Sequence, residues 1–111
     1  MHELALSSSI AKVVTRNADG RRVRSVQLRV GALRQVVPET LAYCWEIATH
    51  GGPLDGSVLD IEFVPAQVEC DDCGARTTLG RFAWNCQGCG GSRVHVVAGE
   101  EFLVVSIDVD T

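Results

Sequence analysis

Residues 70–90 read CDDCGARTTLGRFAWNCQGCG, and within this stretch the motif Cys-x-x-Cys-Gly occurs twice, at Cys70–Gly74 and at Cys86–Gly90. Two residues between thiolates let one tight turn present both sulfurs to the same ion. The glycine that follows takes a backbone conformation that a side chain would resist. Two such turns complete a tetrahedron, so Cys70, Cys73, Cys86 and Cys89 are expected to hold a structural zinc ion in a zinc ribbon. The twelve residues between the pairs, among them Thr77, Thr78, Phe82 and Trp84, are enough for a short hairpin that brings the two turns together. A redox disulfide pair or four unpaired core cysteines are the competing explanations, and the doubled spacing disfavours both. A closed four-thiolate site has no open coordination position, so its zinc is expected to supply folding energy and not catalysis.

Around this stretch, from about residue 67 to residue 98, lie five of the eleven glycines and almost no aliphatic periodicity. Such a segment buries little and needs a staple. The flanking sequence is of another kind. Leu6, Ile10, Val13 and Val14 recur at helical spacing, with a stop at Asn17, Asp19 and Gly20. Val26, Leu28 and Val30 then alternate with Gln27 and Arg29 up to Gly31, as a strand does. Pro38 and Glu39 suit a first helical turn, and Leu41, Cys44, Trp45 and Ala48 form one apolar stripe before Gly51 and Gly52. Leu59, Ile61 and Phe63 alternate with Asp60 and Glu62 until Pro65, giving a second strand with a solvent-facing polar side. Beyond the cysteines, Leu103, Val105, Ile107 and Val109 make a last strand that has no sheet to join unless it returns to the first half. The expected fold is α+β, with two helices on a three-stranded mixed sheet and an inserted zinc-ribbon module. Residues 1–66 plus 99–111 would form one unit and residues 67–98 the other.

The bulk composition narrows the function. A chain of 111 residues, 46% hydrophobic and 22% charged, is about one domain's worth of ordinary globular protein. A net charge of -4 is the wrong sign for a protein that gains affinity by releasing counterions from phosphates, so nucleic acid is not an expected partner. The ribbon repeats the pattern, with three arginines set against Glu69, Asp71 and Asp72. No apolar run is long enough to span a bilayer and no export signal is visible at the start, so a cytoplasmic location and no membrane partner are expected. Five cysteines in a reducing compartment favour metal ligation over disulfides.

A second metal site is suggested by the first residues. Methionine removal generally requires a small second residue, so Met1 should remain ahead of His2. The Met1 amine, the His2 amide nitrogen once deprotonated, and His2 Nδ1 can then close a five-membered and a six-membered chelate ring on one ion. Planar nitrogen donors of this kind suit Ni(II) or Cu(II). Glu3 could add its amide or carboxylate. The plain alternative is a solvated, frayed terminus.

With these features together the chain resembles the HypA-type hydrogenase nickel-incorporation proteins. The resemblance rests on the Met-His-Glu start, on Val30, Gly31, Ala32, Leu33 leading into Val36, Val37, Pro38, Glu39, on the paired knuckles, and on Val105, Ser106, Ile107, Asp108, Val109 near the end. It implies a nickel metallochaperone, not an enzyme, whose zinc ribbon is structural and whose nickel is carried by Met1, His2 and Glu3. It also implies delivery to the [NiFe] hydrogenase large-subunit precursor with a GTP-hydrolysing, nickel-handling accessory protein; some members also serve urease. A monomer or weak homodimer is expected. The rival function is that of a zinc-ribbon adaptor binding protein or nucleic acid.

Three further residues have simple explanations. His95 is expected on the ribbon surface and is not counted as a ligand, and His50 suits the negative end of the second helix. Cys44 is expected to be a small core residue. Glu39 is placed near the amino terminus by the resemblance alone.

Overall fold

The computed structural model describes residues 2–80 and 84–110. Helix α1 runs Glu3–Ala18, followed by strand β1, Val23–Gly31, and a single 3₁₀ turn, Ala32–Arg34. Helix α2 follows at Pro38–Thr49, then β2 at Val58–Val64. The cysteine segment supplies β3, Gln67–Cys70, β4, Arg76–Thr78, and β5, Val94–Ala98, and the chain closes with β6, Phe102–Val109. No helix among the described residues is long and apolar enough to cross a membrane.

The first sheet has the order β2-β1-β6, with β2 parallel and β6 antiparallel to the central β1. The mixed pairing follows from the connections. A parallel neighbour needs a crossover, and α2 is that crossover. The last strand returns from the other side. Both helices cover one face, where Val26, Leu28 and Val30 meet Ile10 and Val14 from α1, and Leu41 and Trp45 from α2. Ser7 is fully buried where the helices touch, and its hydroxyl donates to the Leu41 carbonyl at 3.4 Å. The Trp45 indole is anchored by donating to Ser57 Oγ at 3.0 Å.

The opposite face is open and polar. Gln27 donates to Ser25 and Asp108, Ser25 donates to Asp108, Ser106 donates to Gln27, and Arg29 pairs with Glu62. The expected fold class and every expected helix and strand are present. Several side chains differ from their expected burial. On β6 a bulge between Ser106 and Val104 shifts the register, so Phe102 and Val104 pack on the core while Leu103 and Val105, expected there, are 42% and 47% exposed. Val13 on α1 is 42% and Phe63 on the edge strand β2 is 47% exposed. Cys44 is half-buried, to the side of the stripe that Leu41, Trp45 and Thr49 form at successive turns.

The cysteine segment forms its own sheet, β4-β3-β5, antiparallel throughout. Its expected hairpin is placed differently. Gln67 pairs with Thr78 and Glu69 with Arg76, so the first knuckle is itself the hairpin turn. The second knuckle leads into β5, which pairs with the other edge of β3. Phe82 lies outside the described residues.

The chain leaves the first sheet from one edge, β2, and returns on the other, β6, so it must cross the end of β1. The crossing is at Gly31. Its N–H donates to the Glu101 carbonyl at 2.7 Å, and the Leu33 N–H to the Gly99 carbonyl at 2.8 Å. A Cβ on Gly31 would sit 2.1 Å from the Gly99 carbonyl, and one on Gly99, at φ +108, would sit 2.6 Å from Ala66 Cα. Backbones approach this closely only where no side chain intervenes.

Candidate metal centre

The two knuckles are built alike. In the first, the Gly74 N–H donates to the Cys70 carbonyl at 3.0 Å and the Cys70 N–H to the Ala75 carbonyl at 2.9 Å. In the second, Gly90 donates to Cys86 at 2.9 Å and Cys86 to Gly91 at 2.8 Å. Gly74 and Gly90 have φ +76 and +75, the left-handed conformation that the sequence reserved for them. Each turn buries its first cysteine and leaves its second exposed.

All four sulfurs lie within 4.8 Å of one another, and they form the one such donor group found among the described residues. Cys70 and Cys89 are 3.6 Å apart, and Cys73 and Cys86 3.4 Å. A disulfide would need about 2.05 Å. Four sulfurs about 2.3 Å from a central zinc in a tetrahedron stand about 3.8 Å apart. The cluster therefore fits a zinc site.

Hydrogen bonds within the cluster spread the acidity of its thiols. The Cys86 thiol is drawn down to about 6, first by the Cys89 backbone N–H; burial opposes this, while the Cys73 thiol and the Gly88 N–H reinforce it. Its neighbour Cys73 is pushed up to about 12. The Ala75 N–H works against that rise, but donation to Cys86, burial and the other two thiols outweigh it. Cys89 is also raised: the Gly91 N–H alone would lower it, but hydrogen bonding to Cys70 and Cys86 prevails. Cys86 is thus readier to ionise than Cys73 and Cys89, whose raised values oppose loss of the proton that a metal would replace. Affinity should fall on acidification.

Supporting contacts hold the knuckles in register. Buried Thr77 on β4 accepts the Gln87 N–H at 3.0 Å, tying the first hairpin to the second turn. The Asp71 N–H donates to the Arg93 carbonyl at 2.8 Å. Asp72 pairs with Arg93 at 3.3 Å, and His95 Nδ1 lies 2.7 Å from Asp71. His95 is exposed on β5, the surface position expected of it.

At the other end of the chain, His2 is the N-cap of α1 and exposed, and its side chain makes no capping bond. Glu3 follows as the first-turn acid, half-buried. The first bond of the helix is from the Leu6 N–H to the His2 carbonyl at 3.0 Å. Met1, the third expected nickel ligand, lies outside the described residues. The two helices run parallel, both antiparallel to β1, so His2, Glu3 and first-turn Glu39 of α2 lie at the end of the sheet where β1 meets Gly99.

The sequence profile described as "Hydrogenase/urease nickel incorporation, metallochaperone, hypA" matches residues 1–109. The chain belongs to the HypA family. It is 41% identical over 110 residues to the hydrogenase maturation factor HypA of Geotalea uraniireducens, covering 99% of this chain and 100% of the relative. Against the factor of the same name from Geobacter sulfurreducens it is 36% identical over 110 residues, with the same coverage. The solution structure of the Ni metallochaperone HypA from Helicobacter pylori superposes with a TM-score of 0.67 over 98% of this chain and 97% of that one, at 19% identity. At that identity the superposition shows a shared HypA fold.

Sequence reasoning missed Thr77 and the Gly31–Gly99 crossing. A threonine pair in a strand carries no signal of a turn that it stabilises ten residues later. Gly31 was legible as a break in alternation and as part of the family resemblance, not as a crossing point.

Proposed function

We propose that this chain is a nickel metallochaperone of hydrogenase maturation. It takes up Ni(II) at Met1, His2 and Glu3 and hands it to an acceptor protein, while zinc held by Cys70, Cys73, Cys86 and Cys89 braces the structure. The observation that carries this is the family match along residues 1–109, which runs from the amino-terminal residues through both knuckles. It is a carrier and needs no catalytic step.

The amino terminus is chemically suited to the task. The first N–H groups of a helix have no intrahelical partner. Here the ladder begins at Leu6, so the amides of His2 and Glu3 are free of it. Deprotonating them for a metal costs the helix no hydrogen bond, and the uncapped His2 imidazole is free to turn towards the same ion. A square of nitrogen donors suits Ni(II), although Cu(II) binds such sites more tightly, so selectivity comes from geometry and partners.

Residues 1–66 plus 99–111 form the nickel-binding unit and residues 67–98 the zinc ribbon. The client is the [NiFe] hydrogenase large-subunit precursor, with urease a second client, and a GTP-hydrolysing accessory protein assists. The protein works in the cytoplasm, as a monomer or weak homodimer. Isothermal titration of Ni(II) into the untagged protein and into His2→Ala tests the site. Affinity should be lost in the variant; equal affinity would falsify it. Metal analysis of the purified chain should give about one zinc per protein, as four-cysteine ribbons bind it.

A further inference from the structure

Four of the ten basic residues, Lys12, Arg16, Arg21 and Arg22, lie within eleven positions at the carboxyl end of α1 and just beyond it, with Asp19 the one acid among them. None of the four has a carboxylate within 4.0 Å among the described residues, whereas Arg24, Arg29, Arg76 and Arg93 each do. Acids outnumber bases in this chain by fourteen to ten, so an unneutralised basic cluster is against the average. It also has shape. Thr15, Ala18, Arg21, Arg22, Pro53 and Leu54 border a half-open cleft of about 340 Å³ between the end of α1 and the loop after α2. Ala18 and Leu54 are buried and give the cleft an apolar floor.

Of the two cleft arginines, Arg21 is held by its side chain and Arg22 by its backbone. Arg21 donates Nε to the Ala18 carbonyl at 2.7 Å and one Nη to the Asn17 carbonyl at 3.2 Å, which closes the end of the helix and fixes the guanidinium plane. Its other N–H groups have no partner among the described residues. The Arg22 backbone is fixed by the Asp110 N–H, which donates to its carbonyl at 2.9 Å. A planar guanidinium fixed beside apolar surface matches a carboxylate with two parallel bonds, and little side-chain freedom is lost on binding.

We infer that this cleft and the adjoining face of α1 dock an acidic segment of a partner protein, with Asp or Glu carboxylates on Arg21 and Arg22 and further acids along Arg16 and Lys12. Charge complementarity selects the occupant, because an acidic strand is repelled by most of this chain and attracted here. The sixteen residues of α1 span about 24 Å. The cleft is therefore a helix length away from His2, and a partner bound there leaves the amino terminus free.

Fluorescence anisotropy of a labelled ten-residue polyglutamate peptide with the full zinc-loaded chain tests this. Binding is expected at 50 mM salt, about the regime where exposed charges still act at 10 Å or more, and is expected to weaken steeply by about 0.3 M. Arg16→Gln with Arg22→Gln should weaken it about ten-fold, while Arg29→Gln with Arg76→Gln, which removes the same net charge away from the cleft, should change it less than about two-fold. Near-UV circular dichroism of both double variants should match wild type, because neither contains Arg21. Equal loss in the two variants, no peptide binding, or tighter binding to a short DNA duplex or to phosphatidylglycerol vesicles than to the peptide would each overturn the assignment.

Discussion

The two sheets of this molecule have equal strand numbers and different means of support. The first is covered by two helices and closes over a core that includes Val14, Val26, Leu28, Val30, Leu41 and Trp45, each at most 1% exposed. The second has no helix. Among its described residues and those next to it, only Ala66, Val68, Cys70, Thr77, Cys86 and Gly99 are buried. Apolar area removed from water stabilises a fold at roughly 25 cal/mol per Å², and the second sheet has little of it. A zinc ion on the four clustered sulfurs would supply what the aliphatic side chains do not. One chain would then use two physically distinct ways of making a sheet stable, and each should fail under different stress.

The largest effect should come from the metal. Zinc binding contributes on the order of 10 kcal/mol to small metal-dependent folds. A strong chelator, or Cys73→Ser, should therefore unfold residues 67–98. Amide exchange should rise there while the helix signal at 222 nm persists; loss of both together would mean that the sheets fold as one unit.

Trp45→Ala is the reciprocal test. It removes a large buried side chain and its bond to Ser57, and should cost about 3–5 kcal/mol in urea unfolding of the helical half. Zinc retention by the folded protein should not change.

Gly31→Ala probes the point where the two meet. Its Cβ would press on the Gly99 backbone, which no rotamer change relieves, and the loss should be about 3 kcal/mol, at the upper end for overpacking. The destabilisation should appear in both halves. An effect confined to either would show the crossing to be a flexible link.

Thr77→Val should do least. It leaves the Gln87 N–H without its acceptor, at a cost of about 1–3 kcal/mol. Competition with a zinc chelator should register this as a weaker site of unchanged stoichiometry.

The same contrast explains how much was visible in the amino acids. Where burial stabilises regular elements, periodicity records it: Val26, Leu28 and Val30 at period two, and Leu41 and Trp45 on one helical face, located their elements to within a few residues. On β6 a bulge breaks the period, so Phe102 and Val104 face the core where Leu103 and Val105 were expected. Pro38 and the pair Asp19–Gly20 fixed helix ends because each has a backbone preference of its own. The cysteines were equally plain, since two-residue spacing is what one ion requires. What stayed hidden belongs to neither class. The strands of the second sheet are three to five residues long and bury alternate positions only weakly, so no period emerges. The hairpin was assigned between the knuckles because a turn around Cys70–Gly74 leaves no trace beyond its glycine. At the amino terminus the chemistry of His2 and Glu3 was legible from identity alone, and the structure adds that they begin a helix whose first amides are unengaged.

One further consequence follows from where the chain departs and returns. Ala66 and Gly99 are in van der Waals contact, and Gln67 pairs with Ala98. A segment whose two ends touch is attached like a cassette at one socket. It can be lengthened, exchanged for another fold, or cut out and bridged by a short turn without re-threading the strands beneath it. Divergence and protein engineering alike should find the material beyond Ala66 the easiest part of this molecule to graft.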